Sequence, residues 1–323
     1  MKVFIAGASG AVGQPLTRAL RANGHEVVGM TRSSAKGARL RTLGAEVVLA
    51  DAFDREAVRR AIEEARPDAV VNQLTALDSV RSLKNFDKAF ALTNRLRTEG
   101  TDILLDASWS AGVHTVVSQS FGAWIYDRTG VGLASETDAL DPNVPSKQRK
   151  SLAAIRHLEE ATLSSGRGTG IALRYGYFYG PGNAISRNGT VSNEVRKRRL
   201  PIVGDGNGVW SFIHTDDAAS ATVAAIEAGV AGVFNICDDE PVRTGDWIPA
   251  FAEAIGAKPP RHVPTWLARP LAGEVGVVAM TEVRGMSNAK ARATFDWRPS
   301  FPSYREGFRH GLGRASAQLR STG

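Results

Sequence analysis

Gly7, Gly10 and Gly13 sit between an apolar run and a helical pattern, in Gly7-Ala8-Ser9-Gly10-Ala11-Val12-Gly13. Chemistry at such a junction needs glycine for a tight turn, for close backbone approach to a diphosphate and for close helix–strand packing. The helix start adds unpaired N–H groups and a partial positive charge. Pro15 is tolerated in the first turn, where its missing N–H has no intrahelical partner. Ser9, Ala11 and Val12 complete a loop expected to cradle the pyrophosphate of a dinucleotide. A glycine-rich turn that binds nothing is the competing reading.

The second chemical signal lies at the end of the next apolar run. It closes at Met30 and is followed by Thr31-Arg32-Ser33-Ser34, with Lys36 and Arg39 close behind. No acidic residue occurs between Val27 and Ala45. NAD sites place Asp or Glu here to accept from both ribose hydroxyls. Arg32 instead suits a 2′-phosphate, with Ser33 or Ser34 as a further donor. The expected cofactor is therefore NADP(H) rather than NAD(H), and the competing reading is that these cations only solvate a helix.

These residues require a particular scaffold. Lys2–Ala6, Glu26–Met30, Glu46–Ala50, Ala69–Gln73 and His114–Gln119 read as strands buried on both faces. Helical patterns fill the gaps at Gly13–Ala22, Ala35–Leu43, Arg55–Ala65 and from Phe86 to about Ala111, with Asp54 as an N-cap. Gly24, Gly44 and Gly112 follow helices, where a left-handed cap favours glycine. The alternation predicts an α/β fold, a Rossmann-type doubly wound parallel sheet with right-handed crossovers. Residues 1–175 form its nucleotide-binding part. Residues 176–323, punctuated by glycine and proline, read as a smaller substrate lobe interleaved with the last strands, with helices near Ser186–Arg198, Asp216–Glu227, Thr244–Ile255 and Ala289–Phe295.

Composition bounds the rest. The chain has 323 residues, 43% of them apolar and 23% charged, enough to bury a sizeable core and unlike a disordered segment. The single cysteine, Cys237, excludes an internal disulfide framework or a thiolate-rich zinc site and fits a reducing, cytoplasmic setting. No metal site is expected, since His214, Asp216 and Asp217 read as strand end, cap and helix. No apolar run is long enough to span a bilayer, and the start reads as a folded strand rather than a signal peptide. The net charge of +7 raises nucleic acid as a partner. The cluster Arg196–Arg199 lacks interleaved aromatics, however, and reads as a solvated helix end. A small-molecule substrate is expected, with no nucleic acid and no membrane.

The GxxGxxG spacing resembles the short-chain dehydrogenase/reductase superfamily, in its extended, epimerase/dehydratase-like branch. The likeness continues through Asp51, Asn72–Ala76, Asn94, Ser118–Ser120, "LRYGYFYGPGN" (173–183), "LPIVGDGNGVWSFIHTDDAA" (200–219), "GVFNICDDEP" (232–241) and "SNAKARATFDWRP" (287–299). The resemblance implies that Asp51 and Ala52 lie beside the adenine. It implies further cofactor contacts from Gln73, Leu74, Thr75, Asn94 and Ser118, and from Tyr175 and Tyr177 at the cofactor mouth. It also implies homodimerisation through the helices at 86–111 and 151–163, with Ala153, Ala154, Leu158 and Ala161 as a small-residue face.

Such enzymes use a Ser/Thr after the fifth strand and a Tyr and Lys four apart on the next helix. Ser120 matches the first. With Glu159 as the anchor, Ser151 stands at the tyrosine position and Ile155 at the lysine position, so the chain resembles an atypical member lacking the Tyr-x-x-x-Lys pair. Three explanations stay open. Another residue supplies the proton, with Tyr126 the first choice. Bound NADP(H) performs an easier hydride transfer, or the reaction is not redox. The protein binds the nucleotide without turnover, as a regulator. A sugar-nucleotide epimerase or dehydratase is the runner-up, disfavoured by the missing pair. His114 is expected to pack within its strand and His157 to lie on the surface. Trp210 and Trp266 are the aromatics placed to wall a substrate pocket, and Arg187 and Arg284 are read as surface residues.

Overall fold

The computed structural model describes residues 1–77, 85–164 and 166–313; the last ten residues of the expected second lobe lie outside this range. Seven parallel strands form the central sheet: β1 (Lys2–Ala6), β2 (Glu26–Thr31), β3 (Glu46–Leu49), β4 (Ala69–Asn72), β5 (Thr115–Phe121), β6 (Thr169–Tyr175) and, after four short strands, β11 (Gly232–Ile236). Their spatial order is β3-β2-β1-β4-β5-β6-β11. The order reverses between β1 and β4, which opens a crevice at the carboxyl ends of the strands. The glycine loop lies at that crevice.

Helices cover both faces because every central strand is apolar on both sides. Gly13–Ala22, Thr215–Ala228 and Ala289–Phe295 close one face around Leu16, Ile171, Leu173 and Phe234. Arg55–Ala65 and Thr101–Ser110 close the other around Phe4, Val70, Ile62 and Leu104. Helix ends follow the caps expected from the residues. The Asp54 carboxylate accepts from the Ala57 N–H, and Gly24, Gly44 and Gly112 adopt φ of +78°, +83° and +76°.

The intervening short strands β7 (Tyr177–Tyr179), β8 (Ile202–Val203), β9 (Val209–Trp210) and β10 (Phe212–His214), with β12 (Val242–Arg243) and β13 (His262–Val263), belong to the second lobe. They form three two-stranded pairs, β7 with β10, β9 with β12 and β8 with β13. β11 leaves this lobe to pair with β6 in the main sheet, so the two parts interleave. An aromatic core of Tyr179, Phe212, Trp247, Phe251, Tyr304 and Phe308 holds the lobe together.

The structure differs from the sequence reading in several places. The single long helix expected after Phe86 is broken into Phe86–Ala89, Ala91–Arg95, a π-helical turn at Leu96–Gly100, and Thr101–Ser110. The Thr101 hydroxyl donates to the Leu96 carbonyl five residues back, at 3.2 Å, a side-chain bond that competes with the regular backbone ladder. Two helices had no counterpart in the reading: Thr265–Thr281, kinked at Gly273 (φ +74°), and Tyr304–His310. The Thr215–Ala228 helix is capped by His214 Nδ1, which accepts from the Asp216 N–H. Asp217 instead accepts the Ser300 and Phe301 N–H groups at 2.7 and 3.0 Å, tying the C-terminal segment to this helix. β5 begins only at Thr115, leaving His114 exposed rather than packed.

Candidate active site

Steric demands explain two of the three glycines. Gly7 sits at φ +89°, and a Cβ there would lie 2.6 Å from the Gln73 carbonyl oxygen. A Cβ on Gly13 would stand 2.5 Å from the carbonyl oxygens of both Gly7 and Ala8. Gly10 and Ala11 are exposed at the mouth of the loop. Among the described residues the Ala11 and Val12 N–H groups have no acceptor. A glycine-bounded cradle that ends in free N–H groups at the start of a ten-residue helix fits a diphosphate.

The rim beside it comes from β2 and β3. Buried Thr31 and the Ser9 hydroxyl are hydrogen-bonded at 3.0 Å, which pins the glycine loop to β2. Ser33 caps the Ser34–Thr42 helix by accepting from the Lys36 N–H. Arg32 is exposed, with Nη1 3.6 Å from Asp51 Oδ2. Asp51 also accepts from the Phe53 N–H and holds the turn that contains buried Ala52. The acidic group closest to the rim thus comes from β3, and β2 contributes only a cation and hydroxyls.

At the end of β4, Asn72 Oδ1 accepts from the Leu74 N–H and orients the segment carrying Gln73, Leu74 and Thr75. The Gln73 side-chain amide is buried, and neither its oxygen nor its nitrogen has a hydrogen-bond partner of normal geometry among the described residues. Opposite, the Arg149–Leu163 helix starts on Asp87. This carboxylate accepts from the Lys150 N–H (3.0 Å), the Ser151 N–H (2.9 Å) and the Ser151 hydroxyl (2.7 Å). Asn94 Nδ2 donates to the Ser151 Oγ at 2.9 Å, while Asn94 Oδ1 stays buried and unpartnered. The helix contains no tyrosine, its one lysine, Lys150, is exposed, and Ile155 is fully buried. No phenol or ammonium group stands where the resemblance expects them.

Ser120 and Tyr126 belong to one buried network. The Ser120 hydroxyl donates to Glu159 Oε1 at 2.5 Å. Glu159 also receives both arms of the Arg174 guanidinium, at 2.8 and 2.6 Å. Arg174 Nη1 donates to the Tyr126 hydroxyl at 3.0 Å, and that hydroxyl donates to Asn235 Oδ1. The Asn235 N–H in turn donates to Glu136 at 2.7 Å. Burial opposes the charge on Arg174, but the Glu159 hydrogen bonds and charge outweigh it and hold its pKa above the usual value. Tyr126 is 1% exposed, and burial pushes its pKa up to about 12. Its hydroxyl is thus shielded from solvent and engaged on both sides.

Other expected contacts also turn inward. Ser118 is fully buried, its hydroxyl accepting from Thr162. Tyr175 lies in the main core, bonded to the Thr222 hydroxyl at 2.6 Å. These two side chains therefore face packing partners rather than the crevice. Tyr177 is half-buried, stacked on Trp210 at 3.7 Å and edge-on to Phe121 at 5.6 Å. Trp266 is 75% exposed rather than a pocket wall. Arg187 donates to the carbonyls of Gly313 and Ala254, and Arg284 to those of residues 131–133, so both serve loop structure. Ala154 and Leu158 point into the protein's own core, leaving Ala153, Arg156 and Glu160 on the outer face of their helix. Sequence reasoning missed Asp87, Arg97 and Asn235. For Arg97 a signal existed, because Asn94, Arg97 and Thr101 share one helical face with buried Thr93 and Leu96 beside it.

Residues 3–237 match the model of the NAD-dependent epimerase/dehydratase family. The chain belongs to that family and is an enzyme of its NAD(P)-dependent epimerase and reductase type. It is similar to the 3-diazoavenalumate denitrifying reductase of a Streptomyces species, at 41% identity over 312 residues, covering 95% of this chain and 99% of the relative. It is also similar to the 2-alkyl-3-oxoalkanoate reductase of Stenotrophomonas maltophilia, at 27% identity over 80% of this chain and 76% of that one. Among solved structures, UDP-glucose 4-epimerase of Thermus thermophilus in complex with NAD superposes with a TM-score of 0.74. That match has 26% identity and covers 97% of this chain and 98% of that chain.

The buried ion pair makes a direct prediction. Glu159→Leu leaves Arg174 buried and unpaired and should destabilise the protein by about 3–5 kcal/mol, whereas adding Arg174→Met should recover most of that loss. Urea unfolding of the single and double variants measures both.

Proposed function

We propose that this protein is an NADP(H)-dependent reductase that replaces a diazo group by hydrogen and releases dinitrogen. One observation carries the reading: no free proton donor stands at the Ser151 and Ile155 positions, and the Tyr126 hydroxyl is locked between Arg174 and Asn235. Reduction of a ketone leaves an alkoxide that must be protonated, and a positioned acid normally does this. A leaving dinitrogen molecule needs no proton. The 41% identity to a denitrifying reductase over nearly its whole length supports the same chemistry.

The glycine loop would hold the diphosphate, and Arg32 with Thr31 and Ser33 would form the rim for a 2′-phosphate. When bound, a reduced nicotinamide would supply the hydride for the new C–H bond, and the C–N bonding pair would leave with dinitrogen. The chain's own residues position and shield. Phe86 is stacked on Phe90 at 4.1 Å and edge-on to Trp124 at 5.6 Å, and both Phe86 and Trp124 pack in one cluster with Leu152 and Ile155. Aromatic faces attract a cation, and Asp87 adds a half-buried carboxylate on the same side, an environment suited to a diazonium group. The apolar cluster also keeps water from the reacting centre. The working form is proposed to be a homodimer built on the helices at 86–110 and 149–163.

Three measurements test these points. With para-hydroxybenzenediazonium as probe, NADPH absorbance should fall faster than in the enzyme-free control, with dinitrogen released and deuterium from labelled NADPH appearing on the ring carbon. Tyr126→Phe should keep that rate within about twofold. Faster turnover of a simple ketone, or a rate lost with Tyr126→Phe, would end the proposal. Secondly, NADPH should bind more tightly than NADH, and Arg32→Glu should weaken NADPH about tenfold or more and erase that preference. Thirdly, light scattering at micromolar concentration should return twice the 34.5 kDa chain mass.

A further inference from the structure

Arg97 lies in the π-helical turn, is 6% exposed, and donates no hydrogen bond to any described residue. The carboxylate whose charge acts on it is Glu159, whose oxygens are already taken by Arg174 and Ser120. Burial draws its pKa down to about 10, so it remains a cation at neutral pH. A guanidinium has five donors and no acceptor, and here Nε is buried with no partner among the described residues, which is costly. Natural interiors keep such groups only where a partner arrives.

Asn94 stands three residues earlier, on the same helical face. Its Nδ2 is committed to Ser151, which fixes the amide orientation and leaves Oδ1 as a buried, unfilled acceptor. The segments carrying both residues pack against the Arg149–Leu163 helix, where Asn94 donates to Ser151. This is the stretch of helix that carries Ser151 and Ile155 in place of the tyrosine and lysine. A donor, Arg97 Nε, and an acceptor, Asn94 Oδ1, therefore stand three residues apart, both buried and without hydrogen-bond partners among the described residues. Their complement is a vicinal diol, because each hydroxyl both donates and accepts.

We propose that Arg97 and Asn94 together bind the diol of the nicotinamide ribose, with Arg97 supplying the cation that the helix lacks. Arg97 donates to the hydroxyl oxygens, and Asn94 Oδ1 accepts a hydroxyl proton. The π turn has a purpose on this reading, since it carries Arg97 on the inward face beside Glu159 rather than on the surface. The inference rests on the nucleotide reading above and is independent of the diazo substrate.

The test separates the two halves of the nucleotide. NADPH and 2′,5′-ADP, which lacks the nicotinamide ribose, are titrated against wild type, Arg97→Met and Arg97→Lys by calorimetry, with melting temperatures recorded alongside. Arg97→Met should weaken NADPH about tenfold or more and leave 2′,5′-ADP within about twofold. Its melting temperature should hold or rise, because a buried unpaired charge has been removed. Arg97→Lys should recover part of the NADPH affinity. Unchanged NADPH affinity in Arg97→Met, or a loss shared equally by 2′,5′-ADP together with a lower melting temperature, would overturn the assignment. If wild type prefers NADH, the same comparison runs with NADH and ADP, and only the 2′-phosphate reading falls. If wild type binds neither nucleotide, both readings fall.

Discussion

A carboxylate and a guanidinium, both withdrawn from water, hold the carboxyl end of the sheet in register. Glu159 comes from a helix, Arg174 from β6, Ser120 from β5, Tyr126 from the loop beyond it and Asn235 from β11. Such a pair is expensive to bury and is favourable only when every remaining donor and acceptor is filled. Here the Ser120 hydroxyl, the Tyr126 hydroxyl and the Asn235 amide do that filling. Residues that would otherwise offer a hydroxyl and a phenol to a substrate are consumed as structural partners. The same network also sets the face that the Arg149–Leu163 helix turns towards Asn94 and Arg97.

This arrangement shapes what chemistry the crevice can support. The Arg149–Leu163 helix offers no phenol and only the exposed Lys150, so the proposed diazo chemistry asks no proton of it. What persists is a cradle for a dinucleotide and an apolar, aromatic environment. Such a site can still position a hydride donor against an acceptor, because positioning and exclusion of water do not depend on an acid. The fold hosts many chemistries, and here the selection acts through what is missing as much as through what is present.

Much of the scaffold could be read from residues alone. The strands β1 to β6 and the Gly13–Ala22 and Arg55–Ala65 helices follow apolar runs, caps and glycine ends that act over a few residues. The cradle around Gly7 and Gly13 was readable for the same reason, because its demands are local and steric. The capture of Tyr126 by Asn235 and the docking of Asp87 on Ser151 were not. They join residues 109 and 64 apart in the chain, which no local pattern reports. The π turn escaped for a subtler reason: Leu96–Gly100 has an ordinary helical composition, and only the Thr101 side-chain bond reveals the extra residue in the turn.

The return of β11 to the main sheet has a consequence for biosynthesis. Until residue 236 has left the ribosome, β6 presents an unpaired apolar edge, and Arg174 and Tyr126 lack the Asn235 amide that completes their network. The nascent chain must keep that edge from pairing with another chain while roughly sixty further residues are made. The first part of the smaller lobe, β7 to β10, is translated within that interval, so its segments must emerge without capturing the open strand. The order in which the chain appears thus makes a late, distant strand the latch on the whole nucleotide-binding half.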